Sequence, residues 1–200
     1  MEIVSPIVSV LALVVSLFTA WFTIFRRGSV RGTHPSFIAF RYDFVGKELP
    51  QAKIFLRTLL FSTGKRGWVV ENLFLRVSEG TRCEEFSFWG YGDKELVRGS
   101  GISVPESGVV TNHHFNPLRT DPLFRFSHGT YQLELVAKLV GREKLVSLWA
   151  GAVEMPVGAF DSTIARETAV FFNWSAEQRK YVASIEKRSG FVHAVSDPQS

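Results

Sequence analysis

Cysteine is nearly absent from this chain: Cys83 stands alone among 200 residues, so no intramolecular disulfide can form. That excludes the small disulfide-stapled scaffolds of secreted proteins. None is needed for size, because the roughly 170 residues after the first apolar stretch suffice for one domain with its own hydrophobic core. Cys83 also stands beside Glu84 and Glu85, whose carboxylates disfavour a thiolate. It reads as an ordinary core or strand cysteine rather than a nucleophile.

Charge is missing where its absence says most. From Ile3 to Phe25 there is no Asp, Glu, Lys or Arg. A helix of that length, rising about 1.5 Å per residue, covers the roughly 30 Å of bilayer hydrocarbon. A buried core helix would keep a polar stripe. Here the only interruptions are Ser5, Ser9, Ser16, Thr19 and Thr23, whose hydroxyls can bond back to the preceding turn. A cleaved secretory signal wants a positive start and small residues at the cut, whereas this segment opens on Met1 and Glu2 and closes on Trp21, Phe22 and Phe25. Residues 1–25 therefore read as a signal-anchor transmembrane helix that contacts membrane lipids. Ser9, Ala12, Ser16 and Ala20 recur at spacings of three and four, a small-residue face that would allow a homo-oligomer through the helix, against the plainer reading of a face turned to lipid.

The flanks set the expected orientation. Arg26, Arg27 and Arg31 follow the helix and no basic residue precedes it, and Lys and Arg near a span end bias that end to the cytoplasm. The expectation is a single-pass membrane protein with its C-terminal domain cytoplasmic. Trp21 lies where an interfacial aromatic belongs.

Catalytic and metal-binding signatures are also lacking. "STGKRGW" contains Gly-Lys but has Leu59 where a phosphate loop needs its first glycine, and Arg66 where Ser or Thr should hold magnesium. It reads as a turn, with membrane contact through Lys65, Arg66 and Trp68 as a second reading. "TNHHFN" is the most site-like string, yet on a strand His113 and His114 project to opposite faces and cannot chelate one ion together. His113, His114 and His128 are thus kept only as candidate site residues, for a metal-dependent hydrolase or similar enzyme. The plainer expectation is one histidine facing solvent and the other hydrogen-bonded at a strand end. No Gly-x-Ser-x-Gly elbow or recognisable acidic pair occurs, and no catalytic residue, metal or cofactor is expected. The 23 Lys and Arg against 19 Asp and Glu are scattered along the chain, without the basic stripe of a nucleic-acid binder. "NWS" at Asn173 fits a glycosylation sequon, but the expected cytoplasmic side removes it from that machinery.

What the chain does contain is strand pattern. In "SFIAFRYDF", Ile38, Phe40, Tyr42 and Phe44 share one face. "KIFLRTLLFST" is apolar on both faces, as a covered central strand would be, and "WVVENLFLRV" follows through the short turn, so the two read as a hairpin. "GTYQLELVAKLVG" alternates over nearly ten residues and pairs with "EKLVSLWAGAVEM". "AVFFNW" and "RKYVASIEKR" read as a final hairpin, with a brief helix from Asp161 to about Glu167 before it. Eight or nine short strands and no helix long enough for a parallel crossover predict an all-β antiparallel sandwich. The 18 phenylalanines and five tryptophans would fill its core, although Trp89, Tyr91, Trp149 and Trp174 offer an alternative as a carbohydrate- or ligand-binding platform on the outer side.

Around Gly129 to Ala137, "FSHGTYQLELVA" resembles the penultimate strand of immunoglobulin-like and fibronectin-like domains, in which a tyrosine hydroxyl bonds back to the loop before it. The resemblance implies an immunoglobulin-like sandwich and carries no function. The organisation expected is a membrane helix over 1–25, a basic linker over 26–35, a β-sandwich over 36–190 and a flexible tail over 191–200. The function expected is non-enzymatic: an adaptor that holds a protein partner at the inner face of the membrane through a sheet edge or end loops.

Overall fold

The computed structural model describes residues 4–25, 28–44, 50–91, 96–99, 101–118, 124–160 and 168–187. The apolar N-terminal stretch is helical: α1 (Val4–Ala20) continues into one wider π-type turn, Trp21–Phe25. Thr19 Oγ1 donates to the carbonyl of Val15 at 2.8 Å and Thr23 Oγ1 to that of Thr19 at 2.7 Å, so these hydroxyls are satisfied inside the helix. Pro6–Thr23 is long and apolar enough to cross a membrane, and none of it is buried against the rest of the chain.

All other elements among the described residues are strands: β1 (Val30–Gly32), β2 (Phe37–Phe44), β3 (Pro50–Ser62), β4 (Trp68–Glu79), β5 (Arg82–Tyr91), β6 (Leu96–Arg98), β7 (Ile102–Val104), β8 (Val109–Pro117), β9 (Gly129–Leu139), β10 (Val146–Met155), β11 (Thr168–Ser175) and β12 (Lys180–Lys187). They hydrogen-bond in the order β10-β9-β4-β5-β8-β3-β2-β11-β12, with β1 on β3, β6 on β5 and β7 on β4. The described ladders are all antiparallel. The path folds back on itself in a sandwich- or barrel-like form. Phe40 of β2 meets Tyr131 of β9 at 5.6 Å between ring centroids, and Trp149 of β10 meets Tyr181 of β12 at 6.3 Å.

Alternation explains the core. Ile38, Phe40 and Tyr42 of β2 face Leu73, Leu75 and Val77 of β4 and Leu133, Leu135 and Ala137 of β9 within one buried cluster. Two registers slip, between Val70 and Asn72 on β4 and between Ser147 and Trp149 on β10. An extra residue in one strand re-aims the side chains beyond it, and the second slip turns the Trp149 indole inward.

Two departures from the sequence reading concern the strands. β3 and β4 are not a hairpin: β3 pairs with β1 and β2 on one edge and β8 on the other, so "STGKRGW" carries the chain from one part of the sheet to another. Parity and a short turn cannot reveal that both edges of β3 are taken by strands distant in sequence. The stretch read as a linker over 26–35 contains β1, in register with β3 through Val30 and Ser62. Arg26, Arg27, the helix expected over 161–167 and the tail over 191–200 lie outside the described residues.

Candidate functional site

The histidine string lies on β8. The backbone pairs Leu56 with His113 and Phe55 with His114, which sends the two rings to opposite faces of the sheet. His113 is wholly buried in the core, 5.5 Å from the ring of Phe88. Burial, with a smaller push from His114, lowers its pKa to about 4. His114 is only 6 % exposed and stands edge-on to Phe55 at 4.8 Å. Burial, then the cations Lys53 and Arg41, lower its pKa to about 4, against the opposing charge of Asp43. Neither histidine is the solvent-facing one expected: His113 turns into the core, and His114, on the face where Val110 is exposed, is shielded locally by Phe55 with Lys53 and Arg41 close by. His128 is exposed in the loop before β9. The structure does not bring these three together, and among the described residues no three His, Cys, Asp or Glu side chains gather as a ligand set.

Beside His114 lies a group that no local pattern announced. Arg41 and Lys53 are cross-strand partners on β2 and β3. Their cations share the carboxylate of Asp43: Lys53 Nζ at 2.7 Å and Arg41 Nη2 at 2.9 Å. Burial would raise the Asp43 carboxyl, but the bonds and charges of Lys53 and Arg41 outweigh it and hold the pKa below its ordinary value. Lys53 is 3 % exposed, and a lysine that deep requires such partners. The sequence signal, visible only in hindsight, is charge at one parity of two adjacent strands.

A second polar group borders the first strands of the domain. Trp149 Nε1 donates to His34 Nδ1 at 3.2 Å, while the His34 ring stacks on Trp174 at 4.4 Å. The Tyr181 hydroxyl donates to the carbonyl of Pro35 at 3.0 Å, and burial pushes its pKa upward. Trp149 and Trp174 thus pack with β12 and the entry of β2 instead of forming a platform with Trp89, whose Nε1 donates to Ser87 Oγ at 3.3 Å.

Two of the clefts among the described residues bear on function. One, of about 450 Å³, runs between the end of β10 and the start of β12 and is lined by Met155, Val157, Lys180, Tyr181 and Val182 among others. Val157 at its rim is 81 % exposed. Among the described residues β12 pairs only with β11, so its other edge borders this cleft. The other cleft, of about 330 Å³, is lined by Lys65, Arg66, Trp68, Val69 and Val140 with neighbouring backbone. Arg142 lies 4.6 Å above the Trp68 ring. Cys83 is exposed on β5.

The class this architecture defines is a strand-built, antiparallel sandwich- or barrel-like domain preceded by one apolar helix. No family model matches the chain, and no curated protein matches it.

Proposed function

We propose that this protein is a signal-anchored, single-pass membrane protein whose immunoglobulin-like sandwich lies on the cytoplasmic side and acts, without catalysis, as an adaptor for a protein partner. The observation that carries the proposal is the outer edge of β12, unpaired among the described residues, beside the 450 Å³ cleft, with Val182 and Ile185 more than two-fifths exposed. An extended segment of a partner would add to that edge through backbone hydrogen bonds and seat alternate apolar side chains in the cleft.

The immunoglobulin-like type is supported by the Tyr131 hydroxyl, which accepts from the Ser127 amide at 2.8 Å, the bond of a tyrosine corner. The anchor is supported by the exposed apolar helix, and the orientation by Arg26, Arg27 and Arg31.

Topology is tested by fusing after Ser200 a reporter active only in the cytoplasm and, separately, one active only outside. External activity would sink the adaptor reading and raise an outer-side ligand binder in its place. Binding is tested in cells with a photoreactive side chain at 182 or 185, and at 110 on β8 as control. A single crosslinked species from 182 and 185, absent from 110, is expected; equal crosslinking at all three would refute the edge.

A further inference from the structure

The basic cleft under the β3–β4 turn lies close to the chain that follows the helix. Ser29 N donates to Thr63 Oγ1 at 2.7 Å, and Thr63 N donates to the Ser29 carbonyl at 2.8 Å. Gly28 lies so close that a Cβ there would fall 2.4 Å from Gly64 N. The chain leaves the helical turn at Phe25, and three residues later it is locked onto this turn. Consecutive Cα atoms are 3.8 Å apart, so Gly28 lies within about 11 Å of the helix end whatever path the chain takes. Each headgroup layer is about 5 to 8 Å thick. Lys65 and Arg66, exposed at the tip beside Gly64, are therefore held within reach of the lipid surface that receives Trp21 and Phe22.

The cleft has the chemistry for that surface. Lys65 and Arg66 line it, Arg142 lies over its Trp68, and no carboxylate is among its lining residues. Val69 and Val140 are about half exposed on its wall, and the Trp68 indole lies under the Arg142 guanidinium. Cations that meet a phosphate, with apolar side chains directly beside them, suit a lipid headgroup joined to its glycerol and acyl chains better than a free anion. Resting on the anchor reading, we infer that this cleft binds the headgroup of an anionic phospholipid of the bilayer that holds α1, and so fixes the domain against the membrane.

The test uses the full chain reconstituted in vesicles of phosphatidylcholine containing phosphatidylglycerol. Flotation first establishes insertion; native mass spectrometry after mild detergent extraction then counts retained lipids. Phosphatidylglycerol enriched over its bulk share is expected, falling about fivefold for each cation removed in Lys65→Gln, Arg66→Gln and Arg142→Gln. Arg125→Gln, at the opposite end of β9, should leave the enrichment unchanged. Lys65 and Arg66 are exposed turn residues, so their variants keep the fold even if Arg142→Gln loosens Trp68. A chain that fails to float overturns the anchor and this site with it. A chain that floats with equal lipid retention in all variants overturns the site alone. Variant-sensitive binding of inorganic phosphate without lipid preference overturns it in favour of a small-anion site.

Discussion

The backbone amide of Ser127 donates to the hydroxyl of Tyr131, four residues on, at 2.8 Å, and the same hydroxyl donates back to the Ser127 carbonyl at 3.2 Å. The next amide upstream, Phe126, donates to the hydroxyl of Tyr42 on β2 at 2.7 Å. Two phenols thus pin one loop to β9 and β2, and Phe124 and Phe126 are buried between those ties. Burial raises the pKa of both phenols, so each stays protonated.

Tyr131→Phe should therefore cost about 1 to 3 kcal/mol, the penalty for leaving a backbone donor without its partner. Tyr42→Phe should cost a similar amount. Denaturant unfolding of the detergent-solubilised chain measures both. A loss below a few tenths of a kcal/mol for each would show that the loop is held by its phenylalanines alone.

Asp43→Asn removes the carboxylate shared by Arg41 and Lys53 and leaves two neighbouring cations, of which Lys53 is buried. A loss of about 2 to 4 kcal/mol is expected, tempered because Asp43 is partly exposed. Adding Lys53→Met should recover part of it, and the double-mutant cycle reads the coupling. Strict additivity would mean that the pair does not interact in solution.

Acid should weaken the fold through the two β8 histidines. Unfolded, each imidazole takes up a proton near pH 6.5; folded, both stay neutral down to about 4. The unfolded state binds more protons across that window. Stability is then full above about pH 6.5 and falls as pH drops, by about 1.4 kcal/mol per unit for each histidine. Asp43, with its carboxyl held low, adds loss only at more acid pH. His113→Leu should make the fall shallower between pH 6.5 and 4.5; an unaltered slope would show that His113 is protonated inside the fold.

Gly151→Ala should disturb Trp149, because a Cβ at 151 would fall 2.5 Å from Cζ2 of that indole. Overpacking of this kind costs about 1 to 3 kcal/mol. Near-ultraviolet circular dichroism should change as the bond from Trp149 to His34 is lost. An unchanged spectrum with full stability would mean that the indole has room to move aside.

Much of the strand content was legible residue by residue. The alternation in "GTYQLELVAKLVG" marks β9 and that in "SFIAFRYDF" marks β2, and the resemblance around Gly129 to Ala137 implied a tyrosine hydroxyl bonded back to the loop before it, as that of Tyr131 is to Ser127. The burial of Lys53 and His114 was not legible. Lys53 and His114 have the parity of solvent-facing residues, and parity states which face a side chain takes without stating what lies over that face. For the same reason His34 gave no signal: its partners Trp149 and Trp174 are more than 110 residues away.

Local chemistry in the sequence determined that an uncharged apolar run becomes a helix, that period-two apolarity becomes antiparallel strands, and that one cysteine leaves the fold to rest on its core. These depend on neighbours within a few residues, where backbone geometry leaves little choice. Only the tertiary structure decided that β3 has β1, β2 and β8 as partners instead of β4, and that Arg41, Lys53 and Asp43 meet beside His114. It likewise decided that Lys65 and Arg66 are tied next to the residues leaving the helix. Strand partners are chosen by which edges and apolar faces are jointly satisfied across the whole sheet. That choice minimises a global free energy and leaves no mark in any one segment.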